Sequence, residues 1–415
     1  MRLLVVRTAE RPTRKRRQSD EHDSSGAAAR GPGPGYAGVS AAIQLAARTR
    51  KRGALRVTLV NPYETFTERL RLHMTATGQE TAAMNIPELL DGTGAGFVRG
   101  WVTAVDAEAK TVRVDDDRVL RYDTLVYGLG SIADTVAVPG VDDHTYTLDG
   151  PEAAAALADR LTRLDRGTVV VGGSGLTGVE AAAEIAERHP RLQVVLLGRA
   201  EPGATMHPKA KAHLDAALAR LGVRVRGGVE VVKVLPDSVE LADGTSIPAA
   251  AVLWTSGTRV SPLAAAAGLS VDERVRVVTD SALRSVSHPD VFAVGDAAAI
   301  RQGYGVMHGT CQSGMPTGVH AALSILRVLA GKEPKPFRFG YYHTPVSLGR
   351  KDAVVQFTRP DDSPRRIVLT GKRAVTYKET VTASPWPTFA RMKKMPASGA
   401  LWPHGGRYTR IRSAK

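Results

Sequence analysis

The sequence predicts an α/β fold of two tandem units of one design, followed by a small α+β region. Three observations carry this: a long internal repeat, a Gly-rich turn feeding an Ala-rich helix in each copy, and a length of 415 residues at 43% apolar content. That length supports two or three domains with full cores, and that composition is ordinary for a globular chain.

The first copy begins at Gly33-Pro-Gly-Tyr-Ala-Gly38 and continues as a helix over Val39–Ala47 and a strand over Arg56–Val60. A β-meander follows at Phe97–Val105 and Thr111–Val114, and Tyr122–Ser131 closes the copy. The second copy repeats the order: strand Thr168–Val171, turn Gly173-Ser-Gly-Leu-Thr-Gly178, helix Val179–Arg188, strand Gln193–Leu197. Its meander covers Val229–Leu235 and Ser238–Leu241 with an Asp243-Gly244 turn, and Ala251–Gly257 closes it. Pro139-Gly140 and Asp149-Gly150-Pro151 punctuate the crossing between copies. After the second copy come Val291–Ala298 and a helix over Thr317–Leu329, stopped by Gly331, Pro334 and Pro336. Short strands at Ala353–Phe357 and Arg366–Leu369 and a helical Lys372–Thr382 make up the C-terminal region. The expected divisions are residues 32–150 with 275–340, residues 151–274, and residues 341–415.

A phosphate-binding turn needs a strand that ends abruptly, glycines that let backbone N–H groups approach an anion, and a helix N-terminus aimed at it. Gly173, Gly175 and Gly178 follow a β-branched strand and open a helix, so both units are read as Rossmann-like dinucleotide-binding domains, three-layered, with a parallel sheet plus meander. A tight strand–helix turn without a ligand is the alternative. The acid that usually accepts the adenosine ribose hydroxyls would follow the next strand, where Gly198-Arg199 stands. A guanidinium in place of a carboxylate suits a 2′-phosphate, with a ribose held by Glu201 or backbone as the other option. The first loop keeps Gly33, Gly35 and Gly38, but Ser24–Gly31 before it cannot make a buried parallel strand. Residues 1–31 are therefore expected to be disordered or poorly docked.

The formal charge of +15 resides at the ends. Residues 1–31 hold 8 Lys and Arg against 4 Asp and Glu, and residues 351–415 hold 14 against 4. The body between them is near neutral, and the basic tail could meet anionic lipid or only solvent; no nucleic-acid partner is expected. A single cysteine, Cys311, excludes an internal disulfide and any Cys-x-x-Cys redox pair, fits a reducing cytoplasm, and is read as a small buried residue. No apolar run is long enough to span a membrane.

Taken in order, Gly33–Gly38, Tyr63–His73, Tyr122–Ser131, Gly173–Glu180, Val252–Gly257, Val291–Ala298 and Ser347–Arg350 resemble the FAD-dependent pyridine nucleotide oxidoreductases. The type II NADH dehydrogenases and apoptosis-inducing-factor-like oxidoreductases are the nearest in appearance. The resemblance implies FAD on Gly33, Gly35 and Gly38, with Arg69, Gly130, Gly257, Gly295 and Asp296 as further cofactor contacts. Asp296 would bond the flavin's sugar chain, or cap a helix. NAD(P)H would lie on Gly173, Gly175, Gly178 and Arg199. Glu180 would face the nicotinamide as the catalytic residue, although a Glu in the first helical turn is also favoured by the macrodipole. His308 and His320 are read as satisfied or exposed, with tuning of the flavin as the alternative.

The implied reaction is hydride transfer from NAD(P)H to FAD and then electron delivery to a quinone or similar acceptor. A soluble reductase of a ferredoxin-like carrier, and a flavin-poor nucleotide-binding relic, are the alternatives. Trp386, Phe389 and Trp402 among Arg391, Lys393, Lys394, Arg407, Arg410 and Arg412 suggest a peripheral contact with the inner face of the cell membrane by an otherwise cytoplasmic protein. Pro385, Pro387, Pro396 and Pro403 argue against a long amphipathic helix there. A homodimer is allowed.

Overall fold

The computed structural model describes residues 3–8, 35–50, 55–115 and 117–411. The first unit contains β1 (Leu3–Thr8), α1 (Tyr36–Thr49), β2 (Leu55–Asn61), β3 (Ala95–Arg99) and β4 (Thr124–Tyr127), with an antiparallel meander at Val102–Asp106, Thr111–Val114 and Arg118–Arg121. The second contains β5 (Gly167–Gly172), α2 (Leu176–Arg188), β6 (Leu192–Leu197), β7 (Arg224–Arg226) and β8 (Ala251–Trp254), with its meander at Val231–Val234, Ser238–Leu241 and Ser246–Pro248. The chain then returns to the first sheet, where β9 (Val291–Ala293) pairs in parallel with β4, and α3 (Cys311–Leu329) packs along α1. The order β7-β6-β5-β8 is parallel throughout. Val169, Val170 and Val171 are all buried, as expected of a strand covered on both faces.

The first sheet runs β9-β4-β1-β2-β3 and differs from its counterpart in its central strand. β1 is antiparallel to both neighbours, pairing Leu3 with Val60 and Tyr127, and Thr8 with Leu55. The disorder expected over residues 1–31 is thus corrected for Leu3–Thr8, whose Val5 and Val6 are buried in the core. The physical reason is that a sheet covered on both faces needs an apolar central strand. Leu3–Val6 is the apolar run on the N-terminal side of α1, and the 26 residues separating Thr8 from Gly35 release it from strand–turn–helix geometry. The rest of the stretch, including Ser24–Gly31 and Gly33, lies outside the described residues.

α1 and α3 approach closely because Gly318 carries no side chain; a Cβ there would collide with the Ala37 carbonyl. α3 starts with a capping box in which the Thr310 and Ser313 side chains satisfy each other's backbone amides.

The C-terminal region is an antiparallel sheet of β10 (His343–Ser347), β11 (Ala353–Thr358) and β12 (Pro364–Thr370), covered by α4 (Gly371–Ala383) and followed by α5 (Pro385–Lys394). Pro385 and Pro387 sit in the first turn of α5, where no intrahelical N–H bond is lost. Phe389 and Met392 are fully buried, and Trp386 and Phe389 pack on Phe66. The expected aromatic lipid interface therefore loses Phe389 to the core, where such a side chain contributes roughly 1.5–3 kcal/mol. Leu401, 84% exposed, is the apolar side chain that the tail presents most fully.

Candidate active site

The first turns of α1 and α2 open on one cleft of about 280 Å3. Tyr36 and Ala37 reach it from α1, Thr177 and Glu180 from α2, Arg69 and His73 from the Tyr63–His73 segment, and Gly130 and Ser131 from the end of β4. Gly295 and Asp296 follow β9 into it, and Cys311 and Gly314 line it from the start of α3. Both halves of the repeat thus place the starts of their helices, which sequence spacing alone could not orient, around a shared space.

Within the cleft, Ser131 Oγ donates to Asp296 Oδ2 at 2.7 Å and Arg69 Nη1 donates to the Ser131 carbonyl at 2.9 Å. Gly130 and Gly295 have φ of +70° and +63°, conformations that turn backbone toward the cleft and that side chains resist. A Cβ on Gly309 would collide with the Asp296 carboxylate.

Glu180 is the most constrained group. One carboxylate oxygen accepts from Lys378 Nζ at 2.7 Å and from the Ser347 amide at 2.9 Å, while the other lies 4.0 Å from His73 Nδ1. Burial pushes the Glu180 carboxyl up, but Lys378, His73 and the Ser347 amide more than offset it, so it stays below the ordinary range as a carboxylate. Burial drives His73 down to about 4, against the pull of Glu180, so its ring is neutral. Burial also raises Cys311 to about 11, which keeps it a thiol; it is half-buried on the cleft wall, not a fully buried packing residue. Tyr36 and His73 each keep a buried polar atom, Oη and Nε2, with no hydrogen-bond partner among the described residues. Unpartnered polar atoms beside side-chain-free backbone fit a polar, planar ligand such as a flavin.

A second cavity of about 290 Å3 lies at the N-terminal end of α2 against Ser174, Gly175, Ala200 and Glu201. Gly173 turns at φ +124°, Gly175 caps α2, and a Cβ on Gly178 would strike the Gly173 carbonyl. A Cβ on Gly198 would strike the Ser174 side chain, whose Oγ donates to the Ala200 carbonyl at 2.7 Å. A carboxylate-bearing residue therefore has no room at 198, and Arg199 beside it is exposed.

Of the expected residues, Glu180, Arg69, Gly130, Gly295 and Asp296 meet in the first cleft, and Gly175 lines the second cavity. Gly35 caps α1 and Gly38 is buried in it, facing Leu59. Gly257 follows β8 and sits against Asp134, one residue before Thr258, which lines the cleft. His308 stacks on Tyr341 and pairs with Asp362 at 3.3 Å, and His320 Nε2 bonds the Lys335 carbonyl, so both are satisfied. Sequence reasoning missed Lys378, Tyr36 and His73. The signal for Lys378 was its spacing, since Ala374, Lys378 and Thr382 share the buried face of α4 at i, i+4, i+8.

The neutral histidines set an acid limit. Burial is the main cause holding His73, His320 and His343 at about 4 in the folded chain against 6.5 unfolded. Their contribution is present above pH 6.5 and is lost as pH falls toward 4, about 1.4 kcal/mol for each tenfold difference in proton affinity between the two states. Glu180 and Asp352, both lowered, act in the same direction further down, whereas Glu68 and Glu184, raised by burial, oppose it. Thermal melting should therefore fall by several degrees between about pH 7 and pH 5; a flat profile would contradict this account.

Residues 33–323 match the model of the pyridine nucleotide-disulphide oxidoreductase family. An NADH dehydrogenase-like protein of Mycobacterium tuberculosis is 31% identical over 376 residues, which span 84% of this chain and 91% of that protein. A type II NADH:quinone oxidoreductase of Staphylococcus aureus is 27% identical over 391 residues, covering 84% and 92%. The structure of NDH2 from Plasmodium falciparum in complex with NADH superposes with a TM-score of 0.72 at 14% identity over 91% of this chain and 98% of that one, a likeness of fold.

Proposed function

The chain belongs to the pyridine nucleotide-disulphide oxidoreductase family, and from that membership we propose an FAD-dependent NAD(P)H dehydrogenase that passes electrons to a quinone. The supporting observation is the shared cleft, lined by the first turns of both Gly-rich units. Residues 32–150 with 275–340 would hold FAD and residues 151–274 the nicotinamide nucleotide. Bound FAD supplies the chemistry, accepting a hydride and releasing electrons to the next carrier.

This chain's residues bind, orient and exclude water. Gly35 and Gly38 leave the α1 N-terminus open to a pyrophosphate, as Gly173, Gly175 and Gly178 do on α2. Asp296, with Ser131 and Arg69 behind it, can accept a sugar hydroxyl. Glu180, fixed by Lys378 and the Ser347 amide, can orient the nicotinamide at the cleft, and neutral His73 closes one wall without adding charge. The lone thiol of Cys311 cannot form an internal disulfide, so the disulfide relay in the family's name has no counterpart here.

An adjoining apolar cavity of about 220 Å3 shares Leu70 and Cys311 with the cleft and continues past Met315, Phe339 and Pro385. Its lining suits a quinone ring approaching the flavin from the α4–α5 side. Among the described residues no helix is long and apolar enough to cross a membrane. Contact with an anionic membrane would be peripheral, through the basic tail and Leu401.

Anaerobic titration of the flavin-loaded protein with NADH and NADPH tests the assignment: either nucleotide should bleach the flavin, and menadione should restore it. If neither bleaches it, the dehydrogenase reading fails; if only a ferredoxin-type protein reoxidises it, the quinone does. Because Gly198 excludes a carboxylate, Arg199→Ala should raise KM for NADPH about tenfold, the scale of one charge-assisted hydrogen bond. KM for NADH should stay within about twofold; equal losses for both would reassign the ribose contact to Glu201.

A further inference from the structure

A cavity of about 520 Å3, larger than the active-site cleft, lies at the far end of α3, roughly 20 Å along the helix from Cys311. Four segments enclose it: the last turns of α3, the stretch from Lys332 to Arg338 that follows, Arg48 on α1, and the strap from Ala400 to His404. Its floor is apolar, formed by Leu323, Leu326 and Trp402, while Arg48, Arg327, Lys332, Lys335 and Arg338 stand around it with no Asp or Glu in the lining.

Three observations separate this from an ordinary solvated surface. Among the described residues, none of these five cations has a carboxylate partner. Arg48, Arg327 and Arg338 are instead steered by neutral oxygens, those of Gln44, Glu333 and Thr409. Cations at a helix C-terminus serve its dipole, which accounts for Arg48 in the last turn of α1 and for Arg327 and Lys332 at the end of α3, but not for Lys335 or Arg338. The second is Ser324, 1% exposed, which lines the cavity with its hydroxyl unpartnered among the described residues. A buried hydroxyl without a partner is costly unless something else meets it. The third is the combination itself, since like charge without a carboxylate partner around an apolar floor matches an anion joined to a nonpolar body.

We propose that this cavity binds a single amphiphilic anion, its chain on Leu323, Leu326 and Trp402 and its phosphate or carboxylate head among the cations, with Ser324 donating to it. The site is separate from the active-site cleft and shares only Trp402 with the adjoining 220 Å3 cavity, so it does not depend on the proposed reaction.

Calorimetric titration of the flavin-loaded protein with dodecyl phosphate, kept below its critical micelle concentration, tests this. Dodecyl phosphate should bind at least tenfold more tightly than dodecanol or inorganic phosphate. The Lys332→Glu/Lys335→Glu variant, at two exposed positions whose side chains make no hydrogen bond among the described residues, should lose at least tenfold of that affinity with unchanged melting temperature. Ala330→Phe, which narrows the mouth without altering charge, should weaken binding by a similar factor. Equal affinity for dodecanol or inorganic phosphate, or full affinity in both variants, would overturn the proposal. Displacement of the probe by phosphatidylglycerol vesicles would identify a membrane lipid as a source of the ligand; probe binding undisturbed by vesicles would identify a free amphiphile, and either retains the site.

Discussion

Lys378→Met is expected to destabilise the protein by about 3–5 kcal/mol, the scale found when one partner of a buried ion pair is removed. Lys378 is 5% exposed and Glu180 8%, their charges meet at 2.7 Å, and Lys378 Nζ also donates to the Pro345 carbonyl at 3.3 Å. Without the ammonium, the Glu180 carboxylate faces one amide and a neutral imidazole, so its pKa must rise and a proton must be taken up on folding. Glu180→Gln combined with Lys378→Met should recover a substantial part of the loss, because the uncompensated charge goes with it. Urea unfolding of the two singles and the double measures this. A Lys378→Met variant within about 1 kcal/mol of the parent would show that the pair is not closed to water. The single variant should also move flavin reduction onto a new acid limb in its pH profile, which a purely structural role would not do.

Gly178→Val should abolish reduction of the flavin by either nucleotide, by at least about two orders of magnitude, while leaving the flavin bound. The added Cβ would drive into the Gly173 carbonyl and lie 2.8 Å from Thr255 Oγ1, so the turn between β5 and α2 could not keep its shape. Overpacking of this kind costs typically 1–3 kcal/mol, and here it falls on the backbone that would cradle a pyrophosphate. Rapid-mixing kinetics with NADH, alongside flavin content and melting temperature, separates local loss of the nucleotide site from unfolding. Normal reduction rates would mean that the nucleotide does not use this turn.

How well each part could be read depended on how local its determinants are. The second Gly-rich unit was legible because strand, turn and helix are contiguous in Thr168–Arg188, and each follows from neighbours a few residues apart. β1 was not, since an apolar run such as Leu3–Val6 carries no direction, and pairing with β2 and β4 is decided by partners 47 or more residues away, from Thr8–Leu55 outward. Phe389 was misjudged for a related reason: aromatic and basic residues alternate in both lipid-facing and packed helices, and only contact with Phe66 distinguishes them.

The sequence by itself determined the duplicated α/β plan, the Gly-rich turns and the exclusion of disulfide chemistry, because each rests on backbone sterics or on a simple count. The tertiary structure alone decided that the first turns of α1 and α2 line one cleft while Ser174 and Gly175 line the cavity beside it, that Lys378 rather than a nearby residue neutralises Glu180, and that Gly198 has no space for a carboxylate. Those outcomes depend on where residues up to about two hundred positions apart come to lie, and periodicity along a chain holds no information on distances across it.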